Sequence, residues 1–261
     1  MKFYLQTGFG EPIGAPANDF VRLCAFDGCR IGGSPSVSDT QLVNCIVEVE
    51  EAGLEPLVIV WSLREALTVP AGVDVEFMNE PDLTAISPEA YAAEAMAIQN
   101  ARGYTWAGSV SNLNDRGFDY LRRVLAAAPG LRRISVHRYP RNLDVNTPQS
   151  GFSSREAEVE ALERLIRGRE WGVSEFGYHT GREHWWQRRL TDYQVAERVE
   201  WEWRFWQRMG ATFATLYQIN DGPTSTRLDR YGIRHRSADN TRFDGPPKNV
   251  ANSVHRVKLE W

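Results

Sequence analysis

The sequence predicts an α/β protein built as a closed parallel barrel of eight strands, a (β/α)8 fold, on three observations. The chain has 261 residues, close to the roughly 250 that such a barrel typically needs. Eight short apolar segments recur along it, with helical patterns between most of them. Acidic, aromatic and amide side chains collect where these segments end, and in a parallel barrel those ends share one face. No low-complexity linker divides the chain, so residues 1–261 read as a single barrel domain with mostly short loops.

The strand candidates, in order, are FYLQT (3–7), FVRLCAF (20–26), PLVIVW (56–61) and VDVEFMN (73–79), followed by TWAGSVS (105–111), RRISVHRY (132–139), EWGVSEF (170–176) and ATFATLYQI (211–219). Each is a run of apolar residues with β-branched or aromatic members, the composition of a pleated, buried strand. Helical periodicity covers 38–53, 88–102, 116–128, 154–168 and 191–209. The last of these starts at Thr191, an N-cap with Gln194 three residues on, and stops at Gly210. The connections after the first and third strands are too short for full helices. The competing fold is an open doubly wound sheet, which carries a G-x-G-x-x-G turn after its first strand when it binds nucleotides. The turn here is TGFGEPIG, without that spacing.

Composition narrows the function classes. Charged residues make up 25% of the chain and hydrophobic ones 42%, with a net charge of −4. That balance points away from nucleic acid and from anionic membranes. Lysine occurs only at positions 2, 248 and 258, so the basic residues are nearly all arginine. The three cysteines, Cys24, Cys29 and Cys45, form no disulfide framework and no zinc pattern. The opening MKFYLQTGF holds no long apolar segment, so a signal peptide or membrane span is not expected. The expected setting is cytoplasmic, or secreted from a longer precursor. No cofactor and no metal is expected, and the expected state is a monomer.

The strand ends carry the chemistry. VDVEFMNEPDL runs from an apolar strand straight into Asn79, Glu80 and Pro81, and the seventh strand ends in Glu175 within VSEFG. The sixth ends in His137, Arg138 and Tyr139. The eighth ends in Tyr217, Gln218, Asn220 and Asp221, and the second candidate carries Arg22. Two glutamates on non-adjacent strands facing one mouth suit glycoside hydrolysis: a carboxylic acid protonates the leaving oxygen while a carboxylate attacks the sugar. A separation of about 5 to 5.5 Å would make the reaction retaining, through a covalent glycosyl-enzyme. For that chemistry the two environments must differ, one favouring the protonated form and one the ionised form.

NEP after the fourth strand and SEFG at the seventh resemble clan A of the glycoside hydrolases, retaining enzymes on a (β/α)8 barrel. VEFMNEP also resembles the E-L-x-N-E-P form of family 5 cellulases and mannanases, with Glu76 four residues before Glu80. The resemblance implies Glu80 as acid/base, Glu175 as nucleophile and Asn79 as the partner of the sugar 2-hydroxyl. Through VHRYP it implies Tyr139 beside the nucleophile and His137 in the subsite. Through VRL it implies Arg22 as the arginine that pairs with the nucleophile. Clan members usually carry a tryptophan at the end of the eighth strand; LYQIND stands there in this chain, with Tyr217 or Gln218 nearest. The implied substrate is a polysaccharide or oligosaccharide with β-linkages, a β-glucan first and a mannan or xylan next; the mostly short loops should leave an open groove, which favours an endo-acting enzyme.

Other residues admit two readings. Trp61, ending the third strand, is a subsite candidate by position, and Asn112, after the fifth, either binds a hydroxyl or caps the next segment. Trp185 and Trp186, adjacent in a polar loop, either stack on sugar rings or pack under the loop. His137, His179 and His184 could serve a metal, but the spacing of the latter pair matches no helix-borne metal motif. Alternation puts Glu76, Met78 and Glu80 on one side of the fourth strand and Val75, Phe77 and Asn79 on the other. If Glu76 points inward it needs a cationic partner, since an unpaired buried charge is costly; Arg22 is one candidate. The two other functional classes are a non-catalytic carbohydrate-binding barrel and a metal-dependent hydrolase using His137, His179 and Glu80.

Overall fold

The computed structural model describes residues 1–9, 25–32, 38–178 and 190–217. Eight strands form a closed barrel: β1 (Lys2–Phe9), β2 (Gly28–Gly32), β3 (Glu55–Val60), β4 (Asp74–Phe77), β5 (Trp106–Val110), β6 (Arg133–His137), β7 (Glu170–Phe176) and β8 (Phe213–Leu216). Each runs parallel to the next, and β8 returns to β1. The described helices are α1 (Asp39–Glu51), α2 (Leu63–Thr68), α3 (Pro88–Arg102), α4 (Asp115–Ala127), α5 (Arg155–Ile166) and α6 (Asp192–Arg208). The fold is the (β/α)8 barrel that the alternation predicts. None of these helices is long and apolar enough to cross a membrane.

The helices start where their caps dictate. The Ser38 side chain accepts from the Gln41 backbone while Gln41 reaches back to Ser38, and Thr191 and Gln194 repeat that box at α6. Leu42, Cys45, Ile46 and Val49 are the buried positions of α1, the three-and-four spacing that lays one face on the barrel. The connection after β3 holds only the six residues of α2, as its length predicts.

Inside the barrel, Tyr4, Leu57, Trp106 and Phe213 form a layer of their own. Phe213 packs edge-on to Trp106, with ring centroids 4.7 Å apart. Two glycines make room for these rings. A Cβ on Gly172 would stand 2.3 Å from the Phe213 ring, and one on Gly28 would stand 2.3 Å from the Tyr4 ring and 2.0 Å from the Glu55 carbonyl. One step further along the strands the interior becomes polar: Gln6, Arg30, Glu76, Ser109, Ser135, His137 and Glu175 are all buried. An apolar floor thus carries a charged layer at the C-terminal face.

The second strand differs from the expectation. It is Gly28–Gly32, not 20–26; Phe26 precedes it as a core residue, and 20–24 lie outside the described residues. A closed barrel selects a strand by its ladder partners. GCRIG is short, has a glycine at each end and an arginine in the middle, so its apolar pattern is weak. Yet Gly28 and Arg30 pair with Tyr4 and Gln6 on one side and with Glu55 and Leu57 on the other.

Candidate active site

The site is assembled around one guanidinium. Arg30 is fully buried on β2. Its Nε donates to Glu76 at 2.5 Å, Nη1 to Glu175 at 2.5 Å and to Gln6 at 2.7 Å, and Nη2 to Asn79 at 2.9 Å. Glu76 answers the question of its partner: it is buried in the barrel and ion-paired to Arg30. Burial pushes the Glu76 carboxyl up, but Arg30, His137 and the hydroxyls of Ser109 and Ser135 outweigh it and hold the group below the ordinary value.

Ser109 reaches Glu76 because β5 is irregular there. The register of β5 against β6 shifts between Gly108 and Val110, and Ser109 has φ +35°. Such a bulge re-aims a side chain, and here it brings Ser109 Oγ to 2.6 Å from Glu76. The Ser109 carbonyl accepts from the Glu80 backbone N–H at 3.1 Å. One residue therefore supports both glutamates of the EFMNE segment.

Regular alternation ends at Phe77. Met78 has φ +58° and Glu80 φ +48°, both left-handed. This turn brings Asn79 to the guanidinium that also holds Glu76, whereas strict alternation puts those two side chains on opposite sides. Past the turn, Glu80 is part-exposed at the mouth, its side chain 29% accessible. Glu175 is 5% accessible by the same measure.

The two Glu175 oxygens have different partners. Oε1 accepts from Arg30, and Oε2 accepts from the Tyr139 hydroxyl at 2.6 Å. His137, paired with Glu175 in the ladder, places Nδ1 3.4 Å from Glu80 and 3.5 Å from Glu175. One atom each of Glu80, His137 and Glu175 lies within 4.8 Å of the others, a geometry that could also hold a metal ion. The Arg30 guanidinium and Tyr139 hydroxyl on Glu175 fit such a cation poorly, because they put a fixed positive charge and a donor on one of its ligands.

No family model matches this sequence, and no curated protein matches it. Solved structures do. A glycoside hydrolase family 17 β-1,3-glucanosyltransferase from Rhizomucor miehei aligns with a TM-score of 0.66 at 10% identity, over 94% of this chain and 96% of that one. An endo-laminarinase from Formosa aligns at 0.65 and 10%, over 90% and 83%. A family 1 β-glucosidase from Thermotoga maritima aligns at 0.63 and 10%, over 94% and 85%. The barrel is one that solved glycoside hydrolases share.

Of the residues singled out in the sequence, Asn79, Glu80, His137, Tyr139 and Glu175 come together at the C-terminal mouth. Tyr217 joins them, its ring 6.3 Å from that of Tyr139 and nearly perpendicular to it. Asn112 supports this group from behind: it accepts from Gln149 at 3.0 Å and donates to the Tyr139 carbonyl at 3.4 Å. Trp61 is half-buried past the end of β3, its backbone N–H held by Glu65 at 2.6 Å. Arg22, His179, His184, Trp185, Trp186 and Gln218 lie outside the described residues. The arginine on Glu175 and Glu76 is Arg30, which the sequence reading missed. Its signal was a lone cation between Cys29 and Ile31.

Proposed function

We propose that this chain is a retaining β-glycoside hydrolase of the clan A kind, with Glu175 as nucleophile and Glu80 as acid/base. The observation that carries the reading is the pairing of a buried, arginine-held carboxylate with a part-exposed one, oxygens within 4.8 Å of each other. That closeness suits direct attack, since inverting enzymes hold their carboxyl groups about 6.5–9.5 Å apart to admit a water.

In the first step the Glu175 carboxylate bonds to the anomeric carbon, the glycosidic C–O bond breaks, and Glu80 gives its proton to the departing oxygen. In the second, Glu80 takes a proton from water, the oxygen of that water bonds to the anomeric carbon, and Glu175 leaves as a carboxylate. Arg30 ion-pairs with one Glu175 oxygen and holds the carboxylate in place for attack. The Tyr139 hydroxyl holds the second oxygen in line. Arg30 occupies the Asn79 oxygen, which leaves the Asn79 Nδ2 as donor to the sugar 2-hydroxyl. Tyr217, beside Tyr139, stands in for the usual tryptophan as the platform under the sugar.

For the substrate, the names of two structural neighbours, a β-1,3-glucanosyltransferase and an endo-laminarinase, support a β-glucan. Reducing-sugar release and product profiles on laminarin, a mixed-linkage β-glucan, mannan and xylan test this, with laminarin expected to be cleaved endo-wise. Glu175→Ala should lose turnover, and azide should restore a glycosyl azide of inverted configuration. Azide rescue with that product in Glu80→Ala instead would reverse the two roles. Full activity after EDTA treatment is expected; its loss would favour a metal-dependent hydrolase.

A further inference from the structure

Asp82, two residues after Glu80, is buried, with its carboxylate fully shielded. That carboxylate accepts from the Ser111 backbone N–H and from the Ser111 hydroxyl, each at 2.7 Å. Arg116 on α4 donates to the Asp82 carbonyl, and its Nε lies 3.9 Å from the carboxylate. Asp82 thus bolts the turn after β4 to the end of β5 and to α4.

The turn needs such a bolt. Met78 and Glu80 are both left-handed without being glycine, at φ +58° and +48°. Side chains in that region are strained, and the conformation persists only where its surroundings over-determine it. On the near side, Met78 N–H bonds the Val60 carbonyl at 2.9 Å and Glu80 N–H bonds the Ser109 carbonyl at 3.1 Å. On the far side, within the described residues, Asp82 is the buried charge that fixes the chain, through Ser111, to the strand that also holds Glu80 N–H. If that grip is released, Glu80 can relax toward an ordinary backbone conformation, which swings its carboxyl away from the oxygen it must protonate. A misplacement of about 1 Å can cost on the order of 10²-fold in rate.

We propose that Asp82 is a positioning residue for proton donation by Glu80. The inference rests on the reading of Glu80 as acid/base. Its signature is a dependence on the leaving group. A basic leaving oxygen needs the proton at the transition state, whereas a dinitrophenolate leaves without it. A residue that merely stabilises the barrel would lower both rates together.

The test compares kcat/KM of the wild type and Asp82→Ala on 2,4-dinitrophenyl and phenyl β-laminaribioside, or on the same aryl pair carrying the sugar that the polysaccharide panel selects. The dinitrophenyl rate should change by no more than about 3-fold, while the phenyl rate should fall by roughly 10- to 100-fold, part of the 10²–10⁴-fold that general acid catalysis contributes. Equal losses on both substrates would overturn the proposal. If Asp82→Ala does not fold, Asp82→Asn, which keeps an acceptor for Ser111 but weakens it, should show the same discrimination in smaller measure. A wild type that cleaves neither aryl glycoside nor any polysaccharide overturns the glycosidase reading itself, whereas failure of the positioning role alone leaves a fully active wild type.

Discussion

Arg30 faces two buried carboxylates with a single positive charge, so the residue scale is where this site is most exposed to perturbation. Removing one partner of a buried pair typically costs about 3–5 kcal/mol because the other charge is left uncompensated. Arg30→Met leaves both Glu76 and Glu175 in that state, and the loss should appear as a lower urea midpoint. Adding Glu76→Gln to it should recover part of the loss, because one of the stranded charges is then gone. Glu76 also links stability to pH. Its folded-state carboxyl sits below the ordinary value of 4.5, so its contribution is complete above that value and is lost as pH falls through the folded-state value. Glu76→Gln should therefore flatten the acid side of a stability–pH curve measured by urea unfolding. An unchanged acid slope would mean that other carboxylates carry the linkage.

At the scale of elements, β4 and β5 have the weakest ladder in the barrel, with a single register pair between Glu76 and Trp106. Helix α3 compensates. The Tyr91 hydroxyl, fully buried, donates to the Phe77 carbonyl at 2.9 Å and accepts from the Gly108 N–H at 2.8 Å, bridging the two strands where they part. The ring also stacks on Phe77, with centroids 4.8 Å apart. Tyr91→Phe keeps the ring but strands a buried N–H and a carbonyl, each costing about 1–3 kcal/mol when unsatisfied. The expected outcome is a lower melting temperature. Because the strands diverge just below Glu80, a fall in kcat on unactivated substrates should accompany it. A melting temperature equal to wild type would show that Gly108 finds another acceptor.

Over the whole molecule, another buried ionic cluster holds the barrel's outer layer together. Arg155 on α5 pairs with both oxygens of Glu202 on α6 at 2.9 Å, and the Tyr178 hydroxyl after β7 donates to Glu202 at 2.7 Å. The Arg155 guanidinium lies over Phe205, Trp206 and Trp201, within 5.4 Å of each ring centroid. Here α6 contributes both the counter-charge and the aromatic bed, which explains its tryptophans as packing residues. Glu202→Gln removes the charge but not the shape, and should destabilise the fold by about 3–5 kcal/mol in denaturant unfolding. The KM of the folded fraction should stay at the wild-type value. A changed KM would mean that the cluster reaches the mouth.

What the sequence by itself determined is whatever neighbouring residues decide among themselves. The spacing of apolar positions on α1 and the Thr191 cap depend on residues a few positions apart, and each is found where the pattern puts it. The order of elements then follows, and with it the placing of Glu80 after strand four and Glu175 at the end of strand seven. Two features were decided only by the tertiary structure. The arginine of the site is Arg30, because closure of the barrel sets which residue of the second strand faces Glu76, and GCRIG carries too little apolar signal to announce itself. Asn79 reaches the same side as Glu76 because two left-handed residues, held by Val60, Ser109 and Asp82, break the alternation after Phe77. Both depend on contacts between segments far apart in the chain, and no local pattern encodes those.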